Sequence, residues 1–280
     1  MPNEIQKKDV AIYELGILFL RDLLQKKGKD PLVLEKYWHP QEPPENLNGV
    51  YVRLLESVKN RDKMKNAIDS IIEDVKKLEC VLEDFSPKRV MQKYPYSSGW
   101  ESVSNDIRKN CAMKKEPQIT ERSLWPKFCQ AVISGARFLS QFEDYSEFSL
   151  WISGFDKDDI TRSSLVCLLS YELDGIGFAL ACDLIMRLGH RELSENFCKP
   201  DVHLKAICKE LRLCEHRNNQ RQDYEVFKAI QRIARNASQR PYKVDQIFWI
   251  IGSGDPKNLK LGRNRDKFIK YVRNKRPDLF

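Results

Sequence analysis

Apolar positions recur at helical spacing through most of this chain. Residues 8–27 set Ile12, Leu15, Leu18, Phe19, Leu20, Leu23 and Leu24 on one broad stripe that stops before Gly28, which predicts a first helix. The run His39-Pro40-Gln41-Glu42-Pro43-Pro44 then interrupts helix, because proline lacks the donor and clashes with the preceding turn. From Val50, Leu54 and Leu55 predict a second helix toward Arg61. Ala67, Ile71, Ile72, Val75 and Leu78 predict a third from about Lys63. Pro95 and Ser97-Ser98-Gly99 break the pattern, and the polar segment 105–122 reads as an exposed loop or a short helix. Helical spacing returns over residues 123–142 and continues through Phe148 to Ile152. Asp158-Asp159 opens a further helix carrying Leu165, Leu168 and Leu169 up to Gly175. Alternation suited to a strand occurs only near Val244–Ile251. The pattern predicts an all-α fold with no fixed repeat and no low-complexity tract.

Composition narrows this picture modestly. A chain of 280 residues with 41% hydrophobic residues can bury a real core and is long for one compact domain. The 48 Lys and Arg exceed the 40 Asp and Glu, and the formal charge of +8 favours a polyanionic partner without locating it. The start, Met1-Pro2-Asn3-Glu4, lacks the plan of a signal peptide, and no apolar run reaches membrane-span length. An intracellular protein is expected, with its eight cysteines reduced and mostly buried.

Residues 173–204 carry the candidate chemistry. In Leu173-Asp174-Gly175-Ile176-Gly177 two glycines permit positive φ and close backbone approach, and the second opens a helix, Phe178–Leu188. The first N–H groups of that helix have no intrahelical partner and suit a phosphate oxygen, with Ile176 anchoring the turn. An ordinary helix–helix turn with a glycine cap is the plainer reading. Lys199-Pro200-Asp201-Val202-His203-Leu204 follows, 24 positions after Gly177, and sets Asp201 at a predicted helix start. Such an Asp is an N-cap or a working carboxylate.

Together these residues resemble the helix-hairpin-helix DNA glycosylase superfamily that includes endonuclease III, and Asp-Val-His resembles its 8-oxoguanine glycosylase branch. The resemblance covers about residues 45–255. It takes in Leu54–Arg61 as an early helix ending in a polar wedge, and Lys243–Gly252 as a late helix beside the active site. It implies two helical lobes with the active site in the cleft between them. The implied organisation is an N-terminal helix and Pro-rich connection (1–45), a bilobal core (46–255, hairpin 162–188, catalytic loop 198–204) and a basic tail (256–280). Asp201 takes the catalytic position. Gly175, Ile176, Gly177 and Ala179 take the DNA-binding hairpin positions, and Lys59, Asn60 and Arg61 form the wedge, touch phosphates or simply end a solvated helix. The implied partner is double-stranded DNA, bound by a monomer wherever DNA lies, with no membrane. The implied activity is base excision after base flipping, in DNA repair or in restriction of foreign DNA. The alternative is a non-catalytic helix-hairpin-helix DNA-binding protein.

Two departures specify the mechanism. Superfamily members that also cut the backbone carry a Lys two residues after the second glycine. Ala179 stands here, so a Schiff base from that position is excluded and a monofunctional glycosylase is implied. The C-terminal four-cysteine cluster motif is missing, since the last cysteine is Cys214, so no iron–sulfur cluster is expected. The implied chemistry needs no cofactor, although a monovalent cation at the hairpin is compatible with it. Lys199 and Lys205 beside Asp201 read as surface residues, and His203 as a structural hydrogen-bonding residue. Cys198, His203, Cys208, Cys214 and His216 match no compact zinc pattern. Trp100, Trp125, Trp151 and Trp249 read as core rather than base-stacking residues. The excised base is left open.

Overall fold

In the computed structural model, helices account for the regular structure, and no strand occurs among the described residues. Those residues are 3–59, 68, 71–72, 74–95, 97, 99–117, 119–120, 123–216, 220–254 and 259–280. The chain divides into two units, Met1–Gln41 with Arg191–Phe280, and Glu42–His190.

The Glu42–His190 unit is built on α2 (Leu47–Lys59), α3 (Pro87–Lys93), α4 (Gly99–Asn110), α5 (Leu124–Leu139), α6 (Tyr145–Ser153), α7 (Asp159–Glu172) and α8 (Phe178–Leu188). Helix α5 is its axis, with α2, α3 and α4 packed on it, while α8 takes α2 and α7. The close approach of α2 to α5 requires Gly135, where an added Cβ would sit 3.0 Å from a Leu54 methyl. The buried Tyr51 hydroxyl donates to the Val132 carbonyl across the same contact at 2.6 Å. Asp158 accepts from the Ile160 and Thr161 amides while Thr161 returns a bond to the Asp158 amide, a capping box that starts α7.

The other unit contains α1 (Glu4–Gln25), α9 (Arg191–Glu195), α10 (Val202–Glu210), α11 (Gln220–Asn236), α12 (Pro241–Ser253) and α13 (Arg265–Lys275). Helix α12 is its centre and touches the other five. The apolar stripe predicted for the first helix is buried at Ile12, Leu15, Phe19, Leu20 and Leu24, whereas Leu18 stays exposed. The basic C-terminal helix buries Phe268, Ile269 and Val272, and its charges lie on the remaining faces.

Local structure settles what the pattern left open and departs from it in places. Val244–Ile251 takes the helix that the resemblance implied and not the strand that its alternation suggested: Val244, Ile247, Phe248 and Ile251 are buried at three- and four-residue steps, and burial outweighs β-branching. The predicted third helix falls largely outside the described residues. Its end runs as a turn and a 3-10 helix, Val75–Leu78, which Asp74 starts by accepting from the Lys76 amide. Of the two readings of segment 105–122, short helix holds as far as Asn110, because Val103, Ser104 and Ile107 give α4 a narrow buried face. Gly189–Asn196, between α8 and the Asp201 segment, holds the short α9 with Leu193 fully buried.

Candidate functional site

Asp201 is the N-cap of α10. Its Oδ1 accepts from the His203 amide at 2.8 Å and the Leu204 amide at 2.9 Å. Its own amide donates to the Lys199 carbonyl at 2.7 Å, which folds the segment tightly before the helix begins. Its Oδ2 has no hydrogen-bond or ion-pair partner among the described residues. The side chain is half-buried, and Val202 beside it is 51% exposed, so solvent reaches this helix start. One oxygen is thus committed to the cap and the other is available for chemistry.

Helix α12 braces the segment at two points. The buried Asp245 carboxylate accepts from the Lys199 amide at 2.7 Å. Gly252 lies against the His203 side chain, where a Cβ would fall 2.6 Å from the His203 Cβ. His203 is therefore a packing element of the α10–α12 contact. The Lys205 ammonium pairs with Asp223 on α11, which fixes it in an ion pair beyond the cap. Burial raises the Asp223 carboxyl above its usual range, and Lys205 opposes that rise. Sequence reasoning did not single out Asp245. Its signal is a carboxylate at the register of Phe248 and Gly252 on the buried face of α12, where an unpaired charge is unfavourable.

The Gly175 turn belongs to the other unit. Gly175 has φ +75°, and its α-carbon faces the Lys127 carbonyl, 3.3 Å from where a Cβ would stand. Ser134, fully buried in α5, accepts from the Asp174 amide at 2.9 Å, and Arg137 donates to the Glu172 carbonyl at 3.3 Å. Ile176 is buried and anchors the turn, and its amide donates to the Leu173 carbonyl at 3.1 Å. Gly177 is the exposed N-cap of α8, with open space where a side chain would go. The Gly177 and Ala179 amides have no hydrogen-bond acceptor among the described residues. The turn is thus held from behind by α5 and presents backbone donors in front. Ser134, Lys127 and Arg137 escaped sequence reasoning because they are distant in sequence and ordinary in type.

Lys59 ends α2, and Asn60 and Arg61 lie outside the described residues. Trp125 is buried, with its indole donating to Ser104 at 2.8 Å, whereas Trp100, Trp151 and Trp249 are half-buried. No group of three or more His, Cys, Asp or Glu is placed to hold a metal among the described residues, and no described helix is long and apolar enough to cross a membrane. Comparison with protein-family models, with curated proteins and with solved structures finds no match to this chain.

Proposed function

We propose that this chain is a monofunctional DNA glycosylase of the helix-hairpin-helix class, which everts a damaged, mismatched or modified base and hydrolyses its N-glycosidic bond. The observation that carries the reading is Asp201: its Oδ1 caps α10 while Oδ2 remains unengaged at a solvent-reached helix start. Cleavage of the glycosidic bond develops positive charge on the sugar, which a carboxylate stabilises while it orients and deprotonates water. The amides of Gly177 and Ala179 supply the phosphate contact, in keeping with donors at a helix start. Extruding the nucleotide costs a few kcal/mol, least for a damaged or mismatched base, which itself contributes selectivity. With Ala179 where a lyase carries Lys, and Lys205 held by Asp223, water is the proposed nucleophile. A monovalent cation at the turn is compatible with this scheme but not required by it.

Asp201→Asn tests the assignment cleanly, because the Asn side-chain oxygen caps a helix as well as Asp does. The variant is expected to fold and to bind duplex DNA, while excision falls by about 10²–10⁴-fold. The assay is a panel of duplexes, each with one modified or mismatched base, read with and without hot alkali. Breaks that need alkali and vanish in the variant support the reading. Undiminished excision in the variant removes Asp201 from the mechanism. Tight binding with no excision anywhere in the panel favours the non-catalytic DNA-binding alternative.

A further inference from the structure

Helix α10 ends with a second arrangement that the proposed base excision does not use. Cys208, fully buried in its last turn, and Cys214, part-exposed just after it, lie near enough for each thiol to shift the titration of the other. The chain is folded back to bring them together. The Leu213 amide donates to the Cys208 carbonyl at 2.8 Å, and Arg212 turns the corner with φ +49°. Arg232 on α11 pins this corner: its Nη2 donates to the Leu213 carbonyl at 2.8 Å while its guanidinium grips Asp9 on α1 at 2.7 and 3.1 Å. Gln222, also on α11, donates its amide to the Cys214 sulfur at 3.7 Å.

We propose that Cys208 and Cys214 are a dithiol site that closes to an intramolecular disulfide by exchange with a low-molecular-weight disulfide.

The neighbouring Cys208 thiol lowers the Cys214 thiol to about 7, burial opposes it, and Gln222 adds to the lowering. Glu225 on α11 faces the sulfur as a like charge, and Arg232 as an opposite one. Cys208 is shifted upward, first by Cys214 in turn and then by burial, and so keeps its proton. The pair therefore presents an attacking thiolate at the surface with a protonated resolving thiol behind it. Cys214 attacks one sulfur of the small disulfide RSSR, forms Cys214–S–S–R and expels RS⁻. Cys208 then gives up its proton to solvent, attacks the Cys214 sulfur and expels the second RS⁻. Two electrons pass from the protein to RSSR, which leaves as two thiols. By contrast, burial and the neighbouring Cys80 push the Cys111 thiol up to about 11.

The test uses the full chain with glutathione disulfide at neutral pH, quenched by alkylation in denaturant and digested without reduction. Trypsin cuts after Lys209 and Arg212, so the two cysteines fall on separate peptides. The expected result is a crosslinked pair of these peptides that disappears on reduction. In Cys208→Ala, a persistent glutathione adduct on Cys214 is expected instead. Before oxidation, the alkylation rate of Cys214 in the unaltered chain is expected to rise with an inflection near 7. Recovery of Cys208 and Cys214 as separately alkylated thiols from the unaltered chain, or an inflection at the ordinary thiol value of about 8.5, overturns the proposal. The measurements on the unaltered chain decide it even if the variant does not fold.

Discussion

Asp9 shows how one side chain ties distant parts of this sequence together. It is a fully buried carboxylate in α1, and it accepts from Arg232 at two positions and from Asn236 at 2.7 Å, 223 and 227 residues away. Fork-to-fork pairing of this kind satisfies a buried charge that would otherwise be strongly unfavourable. Asp9→Ala leaves the Arg232 guanidinium and the Asn236 amide without their acceptor. The expected loss is about 2–3 kcal/mol, below the roughly 3–5 kcal/mol for a broken, fully buried pair because Arg232 is 36% exposed. Urea denaturation of the two proteins measures it, and a loss below about 0.5 kcal/mol refutes this role. Asp201 uses its carboxylate differently, with one oxygen spent locally on two amides and the other without a partner among the described residues.

Helix α12 holds the Asp201 segment by geometry more than by chemistry. Its Asp245 fixes the Lys199 amide, and its Gly252 admits the His203 side chain at a distance no other residue tolerates. Because the nearest atom is a Cβ rather than the end of a flexible chain, relief requires backbone movement of α10 or α12. Gly252→Ala is therefore expected to destabilise by about 1–3 kcal/mol, in line with overpacked cores. Calorimetry should show a lower Tm, and excision, if the proposed activity holds, should fall with the displaced Asp201. An unchanged Tm means that the α10–α12 contact is looser than described. Helix α5 has the corresponding role for the Gly175 turn through Ser134, Arg137 and the Lys127 carbonyl.

The whole chain carries a formal charge of +8, and its proposed partner is a polyanion. Neutralising three or four phosphates releases condensed counterions, so duplex affinity should fall roughly 10²-fold between 50 and 200 mM salt. A titration of duplex binding against salt checks this. A flat response argues against phosphate contact by Lys and Arg and leaves only uncharged backbone donors for the interaction.

Residue order alone determined the helical class, the approximate limits of α1, α2, α7 and α8, and the two local devices at Gly175–Gly177 and Asp201. Each of these depends on neighbours within a few positions: an apolar stripe at three- and four-residue steps, a glycine permitted positive φ, a carboxylate reaching the amides of the next turn. Tertiary structure decided what local rules leave degenerate. Alternation at Val244–Ile251 left strand and helix both open until the buried face of α12 selected helix, and the end of the predicted third helix gives way to an Asp74-capped 3-10 turn. The brace of Asp245 on Lys199, the clasp of Gly252 on His203 and the Arg232 grip on both Asp9 and Leu213 join residues from 19 to 223 positions apart. No periodicity encodes such pairs. They exist because burying an apolar face forces distant polar groups inside, where each must find a partner or be excluded.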